Sequence, residues 1–155
     1  MKTTLFCLTA LLMSAATFAQ TTAEADKAAV RTVLETETRA FLSANPTLML
    51  AQWSDKPYAE RQHASLVPML KAPYLKGPTL KPITETHMKG LKPSTRTRRI
   101  TDYESHISGN MAWATYTQEE LNEAGAVVGK QRETRILERE TAGWKIVFMS
   151  LQPMD

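Results

Sequence analysis

The chain has 155 residues, a single cysteine and a formal net charge of +3. This length predicts one domain that is large enough to bury a real core. The small net charge gives no reason to expect a nucleic-acid partner, and one cysteine excludes an internal disulfide framework.

The N-terminus has the pattern of a secretory signal peptide. Lys2 precedes an apolar run, Leu5–Leu12, and small residues lead up to Ala19. A basic start, a short apolar segment and a small-residue cleavage site are typical of such leaders, and this apolar run is too short to span a membrane. We expect residues 1–19 to be removed, which leaves an exported protein, periplasmic or secreted, without a membrane segment.

The first helix is predicted over residues 21–44. Thr21 and Glu24 fit a capping box at its start. Glu37 falls on the stripe of the helix where apolar residues are expected. The other members of that stripe are Val30, Val33, Leu34, Phe41 and Ala44.

Two shorter helices are predicted next. Asn45 and Pro46 suit the cap and first position of a second helix, which we expect over Leu48–Trp53. A third helix is predicted over Lys81–Lys89, because Pro82 suits its first turn and Gly90 its end. Its predicted inner face carries Leu80, Ile83, His87 and Leu91.

The segment between these two helices is predicted to be irregular. Four prolines occur from Pro57 to Pro78, and they are incompatible with a long helix or a central strand. We expect a strand-like piece near Tyr58, followed by a long loop at the rim of the fold.

The rest of the chain predicts four antiparallel strands. Residues 98–107, 111–118 and 130–140 alternate between two faces, as a pleated strand requires, and 144–151 is apolar on both faces. Glycine-containing turns join neighbouring strands. They are Ser108-Gly109-Asn110 and Thr141-Ala142-Gly143.

The second of these turns also predicts how its two strands pair. A three-residue loop ending at Gly143 sets Ile136 opposite Phe148 and Thr134 opposite Ser150. The same register sets Arg135 beside Met149 and Leu137 beside Val147.

Two runs in this region, GNMAWATY and RETRILERETAGWKI, resemble the C-terminal sheet of the NTF2-like (SnoaL-like) superfamily. The resemblance extends over residues 20–155 and is closest to small exported bacterial members of unassigned function. It implies an α+β fold, with a curved antiparallel sheet wrapped around about three N-terminal helices to form a cone. Members include isomerases, dehydratases, polyketide cyclases and non-enzymatic binders, so the fold alone assigns no activity.

The steroid-isomerase branch of that superfamily uses a tyrosine on the first helix and an aspartate on a strand. The first helix of this chain contains no tyrosine, and Asp102 has no matching partner. The resemblance therefore does not carry this catalytic pair over.

Two residues are candidate general bases. Burial of Glu37 on the apolar stripe would raise the pKa of its carboxyl group, which is the condition for acid–base work near neutral pH. The alternative is that Glu37 pairs with a buried arginine. His63 is the histidine best placed for proton transfer, and no two histidines have the spacing of a metal motif, so no metal site is expected.

Six residues are candidate ligand contacts. Aromatic side chains form the walls of many binding pockets, although plain core packing explains them equally well. Arg132 and Arg135 lie on opposite faces of their strand, so one of them faces the cavity and pairs with Glu37 or binds a carboxylate. The alternative is cross-strand pairing with a glutamate. The aromatic candidates are Trp53, Tyr58, Trp113 and Tyr116.

These features predict an exported protein that binds a small, partly apolar ligand in the cavity of one domain, residues 20–155. The alternatives are a lyase or isomerase that uses Glu37 or His63 as base, and a homodimeric assembly module. A homodimer on the convex face is expected, because strand 144–151 is apolar on both faces and helices cover only one. No G-x-S-x-G, G-x-G-x-x-G or P-loop motif occurs, and no cofactor is expected.

Overall fold

The computed structural model describes the backbone of residues 4–63 and 74–154, and the side chains of residues 23–63 and 74–154. All strands lie in one curved, unclosed sheet with the order β2-β1-β6-β5-β4-β3. The helices are α1 (Thr4–Leu42), α2 (Pro46–Leu50) and α3 (Leu80–Lys89), with a short 3-10 helix at Gly77–Thr79. The strands are β1 (Glu60–His63), β2 (Tyr74–Lys76), β3 (Thr97–Ser108), β4 (Met111–Leu121), β5 (Val127–Glu140) and β6 (Gly143–Met154).

The helix α1 begins at Thr4, so Thr21 and Glu24 lie inside it. The predicted capping box is therefore wrong for this chain, because no glycine or proline interrupts the upstream residues. The signal peptide at residues 1–19 was predicted from side chains outside the described residues, and it stays a prediction. Within the described ranges, no helix has the length and apolar character needed to cross a bilayer.

The cap of α2 is confirmed, since Asn45 Oδ1 accepts a hydrogen bond from the backbone N–H of Leu48 at 3.0 Å. The helix ends at Leu50, earlier than predicted. The inner face of α3 consists of Leu80, Thr84 and Met88. His87 is exposed, so its predicted inward position is wrong, because the buried stripe runs one residue further along the helix.

The predicted pairing of β5 with β6 is confirmed near its centre. Ile136 lies opposite Phe148, and Arg135 lies opposite Met149. Leu137, however, lies opposite Ile146 and not Val147, because a bulge leaves one extra residue in β6.

The strand-like piece predicted near Tyr58 is β1, which begins two residues later. It pairs antiparallel with β2 and parallel with β6, so the sheet is mixed and not wholly antiparallel. The parallel pairing inserts β1 beside the last strand and sets Arg61 opposite Met149. This arrangement brings a mid-chain arginine to the centre of the concave face.

The core lies between α1 and the concave face of the sheet. Val30 and Leu34 of the helix pack in one cluster with buried sheet residues such as Ala114, Tyr116 and Ile146. The sheet alternation predicted for β4 is confirmed, because Ala112, Ala114 and Tyr116 are buried there while Met111 and Trp113 are exposed.

The apolar side chains of β5 and β6 do not all face outward. Leu137, Val147 and Met149 are all buried within the single chain. The convex face instead presents Trp113 in register with Ile136 and, beyond it, Phe148. Leu137 and Met149 face inward because they lie on the same face of the sheet as Arg135, and Val147 is the extra residue at the bulge in β6.

Candidate functional site

The candidate site lies where α1 crosses the middle of the concave face. Two rows of side chains meet there, because residues in register on neighbouring strands lie side by side. The first row is Arg61, Met149 and Arg135, and the second is His63, Leu151, Glu133 and Tyr116. Glu37 of α1 faces both rows and completes an ionic cluster, formed by Glu37, Arg61, Glu133 and Arg135.

Glu133 is the firmly held carboxylate of the cluster. Arg135 donates to its Oε2 through Nε at 2.9 Å and through Nη2 at 2.6 Å. Tyr116 donates to the same oxygen at 2.7 Å, and Gln131 donates to Oε1 at 2.6 Å. Burial favours the neutral acid, but the charge of Arg135 and these donors outweigh it and hold the pKa of Glu133 below its ordinary value.

Glu37 is equally buried but less tightly held. Arg135 Nη2 donates to its Oε2 at 3.4 Å, and Trp53 Nε1 donates to its Oε1 at 3.3 Å. The pairing of Glu37 with a buried arginine, one of the two alternatives from the sequence, is thus present. Both contacts are long, so Glu37 retains acceptor capacity toward the space beside it.

Arg135 is charged despite being 2% exposed. Burial disfavours the guanidinium, yet the neighbouring Tyr116, Glu133 and Glu37 outweigh it and raise the pKa of Arg135 above its usual value. Buried charges are tolerated when they are paired and hydrogen-bonded in this way.

Arg61 is the member of the cluster that sequence reasoning missed. It is 9% exposed, and within the described residues it has no ion pair. Its Nε and the Nη1 of Arg135 are buried and have no hydrogen-bond partner among the described residues. Burial lowers the pKa of Arg61, opposed by the charge of Glu37, but a guanidinium stays protonated in proteins.

A cavity of about 40 Å³ lies inside the cluster. Its lining includes Glu37, Arg61, His63, Arg98 and Arg135. A water molecule occupies roughly 30 Å³ in the liquid, so the cavity has room for a small group and not for a whole metabolite. We call this space the inner cavity.

His63 borders the inner cavity at the end of β1. Burial, and next the charge of Arg61, lower the pKa of His63 below its ordinary value. The imidazole is therefore neutral at neutral pH, and a neutral imidazole can accept a proton.

A much larger groove, about 610 Å³, lies between the second half of α1 and the start of β3. We call it the outer groove. Its apolar walls include Leu42, Pro93 and Ile100. Its basic residues are Arg31, Arg39, Arg96, Arg98 and Arg99. β3 is an edge strand of the sheet, and Arg98 and Arg99 lie at its start.

Arg98 lines both the outer groove and the inner cavity. Its guanidinium lies over the ring of Phe41, 5.4 Å from the centroid, and donates to Gln118 Oε1 at 3.0 Å. Glu120 is 3.4 Å from Arg98 and also bonds Arg96, so two arginines share one carboxylate. Arg98 thus forms the partition between the two spaces.

The predicted aromatic contacts divide into two groups. Trp53 and Tyr116 are fully buried and contribute their polar tips to the cluster, on Glu37 and Glu133. Tyr58 and Trp113 are 49% and 40% exposed and do not line the inner cavity. The expected wall of four aromatic rings is therefore not formed.

The reasons for these outer positions are local. Tyr58 precedes β1 and donates to Glu138 at 2.7 Å. Trp113 faces outward by the alternation of β4 and stacks on His106, with 4.5 Å between the ring centroids. Arg132 also faces outward, donates to Thr117 Oγ1 at 3.3 Å and lies away from Glu37. In the described part of the chain, no group of three or more His, Cys, Asp or Glu side chains forms a metal site.

No protein-family model and no curated protein matches this sequence. Solved structures do match it. One is a provisionally assigned dehydratase of the NTF2-like family from Streptomyces avermitilis, with a TM-score of 0.68 and 16% identity over 85% of this chain and 98% of that one. An NTF2-like superfamily protein from Salmonella enterica matches with a TM-score of 0.65 and 18% identity, over 85% and 93% of the two chains.

The chain has the NTF2-like fold. The association domain of CaMKII from C. elegans has this architecture too, with a TM-score of 0.68, 13% identity and coverage of 84% and 98%. Sequence identities this low establish a shared fold but not a shared activity. The resemblance read from the sheet residues is thereby confirmed at the level of NTF2-like architecture.

Proposed function

We propose that this protein is an exported NTF2-like binder of a small molecule, and that its ligand enters the inner cavity. The supporting observation is the pair of buried arginines, Arg61 and Arg135, that border a void while each keeps an N–H without an acceptor among the described residues. Buried donors in folded proteins nearly always have a partner. A network that served stability alone would be expected to use these donors.

The outer groove supports a ligand that is partly apolar. Leu42, Pro93 and Ile100 offer apolar walls beside the partition formed by Arg98. The inner cavity admits only a small polar group, so the body of the ligand would lie in the outer groove. Movement of the Arg98 side chain joins the two spaces in this proposal.

The test is to purify the exported protein from its native compartment and to identify bound compounds by native mass spectrometry. We expect a small molecule that is retained by wild type and by the surface variant Arg139→Gln, and lost from Arg61→Gln. N-terminal sequencing of the same sample should give a chain that begins near Gln20. A protein that carries no compound and binds none from a metabolite library would contradict the proposal.

A second candidate is a lyase or isomerase that abstracts a proton at this site. It is favoured by one observation, that His63 borders the inner cavity and is neutral at neutral pH. Glu37 is the other candidate base, on the opposite wall. Turnover of the identified compound by wild type, with loss in His63→Gln or Glu37→Gln at unchanged binding, would establish catalysis; binding without turnover would reject it.

We also propose a symmetric homodimer on the convex face. Met111 and Trp113 are exposed there, beside the half-buried Ile136 and Phe148. An exposed apolar row on a sheet favours a partner, and a two-fold dimer is the commonest closed assembly. One structural neighbour is named as an association domain, which is consistent with assembly by this fold.

A further inference from the structure

We infer that the ligand carries a carboxylate, and that Arg61 and Arg135 receive it in the inner cavity. This inference rests on the proposed function and specifies the class of ligand. It is carried by the unused donors, by the charges around the cavity and by the volume of the cavity.

The donors are the first step. Arg135 uses Nε and Nη2 on Glu133 and Glu37, while its Nη1 has no partner in the described part of the chain. Arg61 likewise has a buried donor, Nε, without a partner, and no ion pair joins it to a described side chain. Two buried guanidinium groups that border one space favour an acceptor with more than one oxygen.

The charges are the second step. Three arginines line the inner cavity, at positions 61, 98 and 135, against two glutamates, at positions 37 and 133. His63 adds no charge at neutral pH, because burial lowers its pKa. Among the described residues, Glu120 is the one carboxylate that pairs with Arg98, and it also pairs with Arg96, so it does not cancel both charges. The lining thus carries one excess positive charge, which a monoanion would neutralise.

The volume is the third step. About 40 Å³ accepts a planar carboxylate, whereas a tetrahedral phosphate dianion exceeds both the space and the excess charge. The flat fork of a guanidinium matches the two oxygens of a carboxylate. A simple halide also fits the space, but it lacks the two fixed oxygens that match the guanidinium fork.

The experiment titrates the full-length protein with sodium acetate and with acetamide, its neutral isostere, and follows binding by isothermal calorimetry. Sodium chloride and sodium phosphate are titrated in parallel. We expect saturable binding of acetate, and at least about tenfold weaker binding of acetamide, since a charge-assisted pair is worth more than a neutral one. Chloride and phosphate should bind more weakly than acetate.

Three variants assign the contact. Arg61→Gln should weaken acetate binding by at least about tenfold, because a charged donor is removed. Arg61→Lys keeps the charge but loses the fork, and should recover only part of the affinity. Arg139→Gln is the matched control, since its side chain is 40% exposed and pairs with Asp26, away from the inner cavity and the outer groove. It should bind acetate as wild type does.

Equal binding of acetate and acetamide would overturn the inference, as would equal binding of acetate and chloride. Wild-type affinity in a folded Arg61→Gln protein would overturn it too, and a melting curve for each variant establishes that it is folded. If a neutral compound co-purifies with the protein while acetate fails to bind, the carboxylate inference falls and the proposed binding function stands. If neither binds, both fall.

Discussion

At the scale of single residues, Glu37 and Glu133 are two buried carboxylates that are held very differently. Glu133 accepts four short hydrogen bonds, from Tyr116, Gln131 and twice from Arg135. Glu37 accepts two long ones, at 3.3 and 3.4 Å. This contrast separates a structural carboxylate from one that remains available to a ligand.

We predict that Glu133→Gln destabilises the fold far more than Glu37→Gln. Glu133→Gln leaves Arg135 without its main partner, and breaking one half of a buried pair costs about 3–5 kcal/mol. Glu37→Gln removes only long contacts and should change the free energy of unfolding by less than about 1 kcal/mol. Urea denaturation of the two variants and wild type measures both values. Equal losses would instead assign Glu37 to the scaffold.

His63 leads to a prediction about pH. Burial lowers the pKa of His63 in the folded protein. As the pH falls below about 6.5, the histidine therefore becomes protonated in the unfolded chain before it does in the folded protein. The stability of wild type should therefore fall as pH drops through this window, down to the folded-state pKa. The charged groups that face His63 are Arg61, Arg98, Arg135 and Glu133. Glu133 stays ionised in this pH range, because its pKa is lowered.

His63→Gln should flatten this dependence, because the variant has no imidazole to protonate. Urea midpoints measured between pH 7.5 and 5.5 provide the comparison. His87→Gln, at an exposed position on α3, is the matched control and should keep the wild-type slope. An unchanged slope in His63→Gln would refute the assignment.

The residues of the site differ in how far the sequence predicts them. Glu37 interrupts an apolar helical stripe, and Arg135 alternates with outward residues on a long strand, so periodicity finds both. Arg61 belongs to a strand of only four residues in a proline-rich segment. A strand this short does not show a recognisable alternation of polar and apolar residues. A clue was present, however: Arg61 and His63 are two apart and so share a face of any strand they form.

At the scale of elements, Gly77 fixes the approach of β2 to the turn before β1. Its φ is +52°, and a Cβ there would lie 2.5 Å from the carbonyl oxygen of Pro57. The N–H of Gly77 donates to Ala59 O at 2.7 Å. Gly109, in the β3–β4 turn, has a similar φ of +57° but open space around it.

We predict that Gly77→Ala destabilises the fold more than Gly109→Ala. The positive φ alone costs about 1–2 kcal/mol for a residue with a side chain, and both variants incur it. Only Gly77→Ala adds a clash with backbone, which cannot rotate away as a side chain does. Chemical denaturation gives the two losses, and their difference isolates the clash. Similar losses would mean that the loop before β1 adjusts freely.

The strands illustrate what local patterns predict and what they miss. The β5–β6 register near Ile136 followed from alternation and from the turn at Gly143, which has a φ of +101°. The bulge at Val147 did not follow, because β6 is apolar on both faces there and a shift by one residue leaves no trace in the pattern.

At the scale of the whole molecule, the convex face is the surface that remains to be covered. Trp113 is exposed on it, stacked on His106 and in register with Ile136. We predict a dimer for wild type at micromolar concentration by sedimentation velocity, and a monomer for Trp113→Glu, because a buried unpaired carboxylate opposes the interface.

Val128→Glu is the control for this experiment. Val128 is 49% exposed at the β4–β5 hairpin, away from the convex centre. The control should stay dimeric, so that loss of the dimer in Trp113→Glu reports the face and not the added charge. A monomeric wild type would reject the dimer.

Periodicity predicted the four long strands and the first helix, and the resemblance of the sheet residues to the NTF2-like superfamily implied their arrangement as a cone. The parallel pairing of β1 with β6 was not predictable, because the local sequence of Glu60–His63 does not indicate which strand it pairs with. Which strands pair when they are far apart in sequence depends on how the whole core packs.

That insertion has a consequence for the order of assembly. β1 pairs with Phe148 to Leu151, so Arg61 meets Arg135 only after β6 has joined β5. Contacts between such distant segments form late, since the intervening loop must close first. Under the proposed function, a growing chain cannot bind the carboxylate until its final strand has been made. Ligand binding in the inner cavity would therefore report that folding is complete. The ligand would stabilise the folded protein relative to intermediates that lack β6.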